Sequence, residues 1–96
     1  MTDAGKGVML EVITPREMFY SGQVEMVVVP TTEGEEGFMA HHVWCVKLLA
    51  EKGQVRIREI GAKDLKVINV KGGHVDIKDR FVVYTDEAEW AEEYEQ

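Results

Sequence analysis

Apolar and polar residues alternate along most of the chain between residues 8 and 85, the two-residue period of strands with one face turned inward. Val8 to Thr14 alternates around Leu10 and Val12, then stops at Pro15-Arg16-Glu17, where proline suits the first central position of a turn. Met18-Phe19-Tyr20 predicts a short second strand ended by Ser21-Gly22. Val24 to Val29 is β-branched and continuously apolar at its end, the pattern of a strand buried on both faces. Thr31 to Gly37 reads as a polar loop, and Val43 to Leu49 resumes an extended apolar run. Gln54 to Ile60 and Leu65 to Val70 alternate on either side of a Gly61–Asp64 hairpin connection. Gly72-Gly73 breaks the next run, the usual mark of a bulge or bend. Val75 and Ile77 continue it, Lys78-Asp79-Arg80 turns, and Phe81 to Tyr84 closes the series. Short strands recurring every ~8–10 residues without a helical pattern predict an all-β antiparallel sandwich or barrel.

The period changes at the C-terminus. Asp86 suits a helix cap, Glu87 and Glu89 suit the positive end of a helix, and Trp90 and Tyr94 share a face at i,i+4. The chain thus divides into a β-sandwich or barrel over 1–86 and an acidic helical stub over 87–96, which either docks its Trp90–Tyr94 face or frays. A helix this short is marginal on its own.

Charge sharpens that division. The net charge of −7 is local: residues 1–85 hold eleven cations against twelve acids, a net −1, and six acids follow from Asp86 onward. Neither part offers the concentrated basic face that nucleic acid requires. No apolar run approaches the ~20 residues of a membrane-spanning helix, and the N-terminus is not patterned as a signal peptide. A single cysteine, Cys45, excludes an internal disulfide framework.

Catalytic chemistry is sparse. Ser21 lies in Tyr20-Ser21-Gly22 without a nucleophile-elbow context, and Cys45 follows Trp44 in an apolar run where a thiol is ordinarily core filler. His41 and His42 are adjacent, so in an extended segment they point to opposite faces and do not chelate one ion. Glu33, Glu35 and Glu36 lack the alternating spacing of a common calcium loop. They read as a solvated acidic loop or as one that meets a polar protein surface.

One combination of motifs is specific. Leu10-Glu-Val-Ile-Thr-Pro15, Phe19-Tyr-Ser-Gly22, Val24-Glu-Met-Val-Val-Val-Pro30 and Thr32-Glu-Gly-Glu-Glu-Gly37 occur in order, followed by His42 and Val70-Lys-Gly-Gly-His-Val-Asp-Ile77. Over about residues 9–88 the chain resembles the epsilon subunit of rotary F-type ATP synthases. The resemblance implies a flattened β-sandwich of about ten strands at the foot of the central stalk. It also implies a non-catalytic role without cofactor, holding the gamma subunit to the ring of c subunits on the cytoplasmic face of a bacterial-type inner membrane. The resemblance puts Glu33, Gly34, Glu35 and Glu36 at the c-ring, with Glu35 the foremost contact, and Thr14, His42 and Trp44 at gamma. Many members carry an inhibitory C-terminal helical hairpin, which this chain is expected to lack. Two departures stand out. Ala40-His41-His42 replaces the family's Pro-Gly-His, and Trp44 stands where the family has proline, either as core packing or as an interface anchor. The alternative is a free-standing β-sandwich ligand-binding or adaptor module, which requires a concave apolar pocket.

Overall fold

A computed structural model describes residues 7–91. Nine strands follow in sequence: β1 (Val8–Ile13), β2 (Met18–Thr31), β3 (Gly34–Met39), β4 (Cys45–Leu48), β5 (Gly53–Glu59), β6 (Lys66–Val70), β7 (His74–Ile77), β8 (Phe81–Tyr84) and β9 (Ala88–Trp90). They are ordered β4-β7-β8-β1-β2-β5-β6-β9, with β3 also on β2. β2 is long enough to serve both halves. Its first part pairs with β1 up to Val8↔Val24, and its second part lies between β3 and β5. A register shift between Val24 and Met26 marks the transition, where a bulge sharpens the local twist. The two halves fold face to face, so that Leu10, Val12, Val75, Ile77, Phe81 and Val83 join Val27, Val29, Phe38, Val55, Ile57 and Ile68 in one core. The Phe38 and Phe81 rings meet edge to face at 6.4 Å between the halves. One corner is stitched by Ala50 N–H donating to Pro30 O at 2.7 Å and Thr32 N–H to Leu48 O at 3.0 Å.

Five local expectations change. Ser21-Gly22 does not end a strand. Gly22 lies within β2 opposite Leu10, and the Tyr20 hydroxyl occupies the space a side chain there would need. The expected double-sided burial of Val24–Val29 is partial: Val24, Val27 and Val29 are buried, whereas Met26 and Val28 are half-buried. The loop expected over Thr31–Gly37 shrinks to the two residues Thr32-Glu33, because Gly34 to Met39 pairs with β2. One pair, β1 with β8, is parallel rather than antiparallel. The helical stub is corrected over its described part, since Ala88–Trp90 forms a strand antiparallel to β6. The open backbone groups of β6 and an aromatic niche for Trp90 outweigh the marginal tendency of a short segment to form a helix. Tyr94 and the rest of 92–96 lie outside the described residues.

That niche is a compact polar and aromatic cluster. Trp90 packs on Phe19 and Tyr20, with ring centroids 5.3 and 6.0 Å away. The Lys66 ammonium stands about 6 Å from both the Tyr20 and Trp90 rings, within cation–π range. It also pairs with Glu59 at 3.2 Å, and Glu59 accepts the Tyr20 hydroxyl at 2.5 Å. Burial, reinforced by Glu59, pushes the Tyr20 phenol above its ordinary value. The Tyr20 hydrogen bond, helped by Lys66 against partial desolvation, holds Glu59 below the ordinary carboxylate range.

The bend at Gly72-Gly73 carries the chain from β6 in one half to β7 in the other. Both residues have positive φ, 65° and 102°, and a Cβ on Gly73 would collide with the Tyr84 carbonyl. Gly73→Ala is therefore expected to destabilise by about 3 kcal/mol or more, whereas Gly61→Ala, at φ 78° in open space, costs ~1 kcal/mol; urea unfolding of the two variants checks the difference. His41 also adopts the left-handed region, at φ 70°, at the position where the resemblance implies glycine. His41→Gly relieves that strain and raises stability by ~0.5 kcal/mol once the added freedom of the unfolded chain is counted; the same unfolding series reads it. The depressed Glu59 group contributes stability above its unfolded value, lost as pH falls through its folded value. Tyr20→Phe removes the largest cause of the shift, so urea midpoints between neutral pH and about pH 3 should fall less steeply than in the unaltered protein.

Candidate functional site

The four acidic-turn residues come together at the tip and flank of the β2–β3 hairpin. Thr31, buried, organises the turn: its hydroxyl donates to Gly34 O at 2.6 Å and accepts from Glu33 N–H at 3.1 Å. Gly34 sits at φ 118°, a conformation that L side chains rarely adopt, so its place in the motif is conformational. The carboxylates differ in their freedom. Glu35 pairs with Arg56 Nη2 on β5 at 2.6 Å, and Glu36 with Lys47 on β4 at 3.6 Å. Glu33 projects from the tip and makes no ion pair among the described residues. The foremost sequence candidate, Glu35, is thus partly neutralised within the chain, and Glu33 is the more available charge.

His42 and Trp44 lie in the 40–44 loop that joins β3 to β4. Ala40 packs against the core, which anchors the loop at its start. His42 stacks edge-on against Phe38, with centroids 4.7 Å apart, and its Nδ1–H donates to Val43 O at 2.7 Å. Held in this way, it is a loop-forming histidine; among the described residues no His, Cys, Asp and Glu group could hold a metal ion. Trp44 is 60% exposed and Val43 79%, so Trp44 is not core packing.

Thr14 is elsewhere. Its hydroxyl accepts from Arg16 and Glu17 N–H at 3.2 Å each, closing the β1–β2 turn. Pairing across β4, β7, β8 and β1 aligns Cys45 with Ile77, Phe81 and Leu10, and aligns Leu48 with His74, Tyr84 and Ile13. Trp44 precedes the first row and Thr14 follows the second. The two therefore border opposite ends of the same outer sheet face, about 17 Å apart along the strands.

That face is what sequence reasoning missed. Leu48, His74, Tyr84, Ile13 and Met18 form a largely apolar row across five strands, with Leu48 64% and Met18 50% exposed. Val46 and Val82 stand in the neighbouring outward positions, with Asp76 between them. The opposite outer face is different: Arg56 and Arg58 lie beside Val28 and Met26 there. A signal was present in the sequence. Val43 to Leu49 is apolar at both parities except for Lys47, so a strand there has to turn apolar side chains outward as well as inward.

The apolar pocket that a ligand-binding module needs is represented among the described residues only by an open hollow of about 380 Å³, with Ile13, Pro15, His74 and Tyr84 in its lining. A groove of about 770 Å³ runs beside the Thr14 turn, and Arg16, Lys52 and Lys71 line it together with Glu17, Asp86 and Glu87. Its mixed charges converge on no single ligand chemistry. No helix among the described residues is long and apolar enough to cross a membrane.

Residues 7–91 match the family described as "ATP synthase, Delta/Epsilon chain, beta-sandwich domain". The ATP synthase epsilon chain of Alkaliphilus oremlandii (strain OhILAs) is 36% identical over 85 residues, covering 88% of this chain and 61% of that protein. The epsilon chain of Alkaliphilus metalliredigens (strain QYMF) is 38% identical with the same coverage. Among solved structures, a chain of the Euglena gracilis mitochondrial ATP synthase assembly of OSCP, F1 and c-ring superposes with a TM-score of 0.83 at 26% identity, covering 94% of this chain and 57% of that one. A chain of the Tetrahymena thermophila mitochondrial ATP synthase central stalk and c-ring shares the fold, with a TM-score of 0.69 at 15% identity over 84% of this chain and 64% of its own. The chain spans about three fifths of the length of the curated relatives it matches. With the family match spanning its whole described length and relatives above 30% identical over most of it, this chain belongs to the delta/epsilon family of ATP synthase subunits, through that family's β-sandwich domain.

Proposed function

We propose that this domain is a non-catalytic part of the central stalk of a rotary ATP synthase, joining the gamma subunit to the c-ring so that ion-driven rotation reaches the nucleotide sites. The observation that carries the reading is the largely apolar row Leu48–His74–Tyr84–Ile13–Met18, in which Leu48, Tyr84 and Met18 are exposed. Continuous apolar surface of this kind on a small domain marks a protein contact. Gamma covers this face, with Trp44 and Thr14 at its two ends. Trp44 is the anchor, because an exposed tryptophan gains most from burial in a partner's pocket.

The acidic hairpin meets the c-ring. Glu33 pairs with a cation on the ring's polar loops, while Glu35 and Glu36 remain tied to Arg56 and Lys47 and hold the hairpin straight. Such rim charges contribute register and orientation more than affinity. The hairpin and the Trp44 loop lie at opposite ends of β4, so one edge strand separates the two contacts. A close-packed core between them transmits displacement with little deformation. The assembly is membrane-associated through the ring, on the cytoplasmic face of a bacterial-type inner membrane, and the domain itself does not insert.

Leu48→Asp combined with Trp44→Ala places a charge within the proposed gamma contact and removes its anchor. Gamma binding, measured by pull-down and calorimetry on folded protein, should weaken at least about a hundredfold. Glu33→Lys should leave gamma binding intact and lower retention on the c-ring in assembled complexes. Unchanged gamma affinity in the first variant sinks the reading of the apolar face.

A further inference from the structure

β9, the last strand among the described residues, is a short cover on a sheet edge that is otherwise complete. It offers three residues, paired as Ile68↔Trp90, Asn69↔Glu89 and Val70↔Ala88, and Ala91 N–H donates to Val67 O at 3.0 Å. Backbone groups alternate in direction along a strand. The Val67 carbonyl points to β9, so Val67 and Asn69 turn their amides and carbonyls that way, while Lys66, Ile68 and Val70 bond to β5. Among the described residues little apolar burial holds β9: Trp90 is 46% exposed, Glu89 is exposed, and Ala88, which packs against the core, is half-buried. The main tether is the contact of Trp90 with Phe19, Tyr20 and the Lys66 ammonium.

The uncovered edge is complementary to itself. Two β6 strands related by a two-fold axis at Ile68 set Val67 of one copy against Asn69 of the other, in each case the residues whose backbone groups point outward. Isologous contacts of this kind need one patch that matches itself under rotation. Lys66 then falls opposite Val70, so no like charges meet, and Ile68 of each copy continues the buried face of its own sheet.

We propose that β9 is a displaceable cap, held through Trp90, and that the β6 edge beneath it is a pairing site for a second copy of this chain, exposed when β9 lifts. The cap then keeps an otherwise adhesive edge monomeric, which natural sheets achieve by covering or charging their edges. The inference does not depend on the stalk reading, because it concerns the opposite end of the strand order from the apolar row.

Glu89→Pro in the full chain tests it. Proline removes the Glu89 amide that faces Asn69 and disfavours the ladder at that point, and Trp90→Ala is a second, milder variant that removes the tether. Light scattering coupled to gel filtration should show the unaltered chain as a monomer and Glu89→Pro as a species that doubles in mass as concentration rises. Hydrogen exchange should show the Val67 and Asn69 amides exchanging about tenfold faster or more in dilute Glu89→Pro, and protected again in the dimer. The proposal is overturned if these amides exchange rapidly at every concentration while the variant stays monomeric. It is equally overturned if they stay protected in dilute monomer, if a dimer forms with them still exposed, or if the unaltered chain dimerises to the same extent.

Discussion

A single strand, β2, serves both halves of the sandwich, and the rest of the architecture follows from that sharing. Its fourteen residues present three partners with hydrogen-bonding groups: β1 over the first part, β3 and β5 over the second. Every backbone amide and carbonyl taken from water has to find a partner, and a strand this long finds enough only by crossing from one half to the other. The register shift after Val24 turns the strand and keeps Val24 and Val27 inward on either side of it. Because β2 continues into the β2–β3 hairpin, the acidic tip is a direct extension of the core. The face that ends at Trp44 and Thr14 belongs to the other half of the same continuous sheet.

Much of this was legible in the residues. The β5–β6 hairpin, the β7–β8 turn and the bend at Gly72-Gly73 are decided by local alternation and by glycine's access to positive φ, so a short window of sequence contains what decides them. Gly22 and the C-terminal segment were not legible for a common reason. Gly22 looks like punctuation, yet what it supplies is space for the Tyr20 hydroxyl. Ala88–Trp90 carries a helix-like charge pattern, yet its conformation is set by the open edge of β6 some twenty residues earlier. In both cases the deciding contact is remote in the chain, and tertiary context overrides weak local preference.

The candidate site divides along the same line. The resemblance drew attention to the acidic turn, which lies exposed at a hairpin tip, while the exposure of Trp44 removes core packing, one of its two readings. Motif matching could not show that Glu35 and Glu36 are already paired, since Arg56 and Lys47 approach only after β5 and β4 have taken their places. Such exposed pairs contribute little stability individually; their effect here is to leave the hairpin less acidic than its sequence reads. The apolar outer row was hidden for a geometric reason: its members come from five strands, and only the register aligns them.

The parallel pairing of β1 with β8 bears on how the chain is made. Residues Leu10 to Ile13 emerge from the ribosome about seventy residues before their partners, Phe81 to Tyr84. Until then one flank of β1 is an unsatisfied edge, and the core lacks Phe81 and Val83. Closing so large a loop precedes any reward from the contact, which slows folding and leaves partly built sheets adhesive. The domain therefore completes itself only once nearly all of the described chain has been translated, and until then the nascent β1 edge stays open to pairing with the wrong strand.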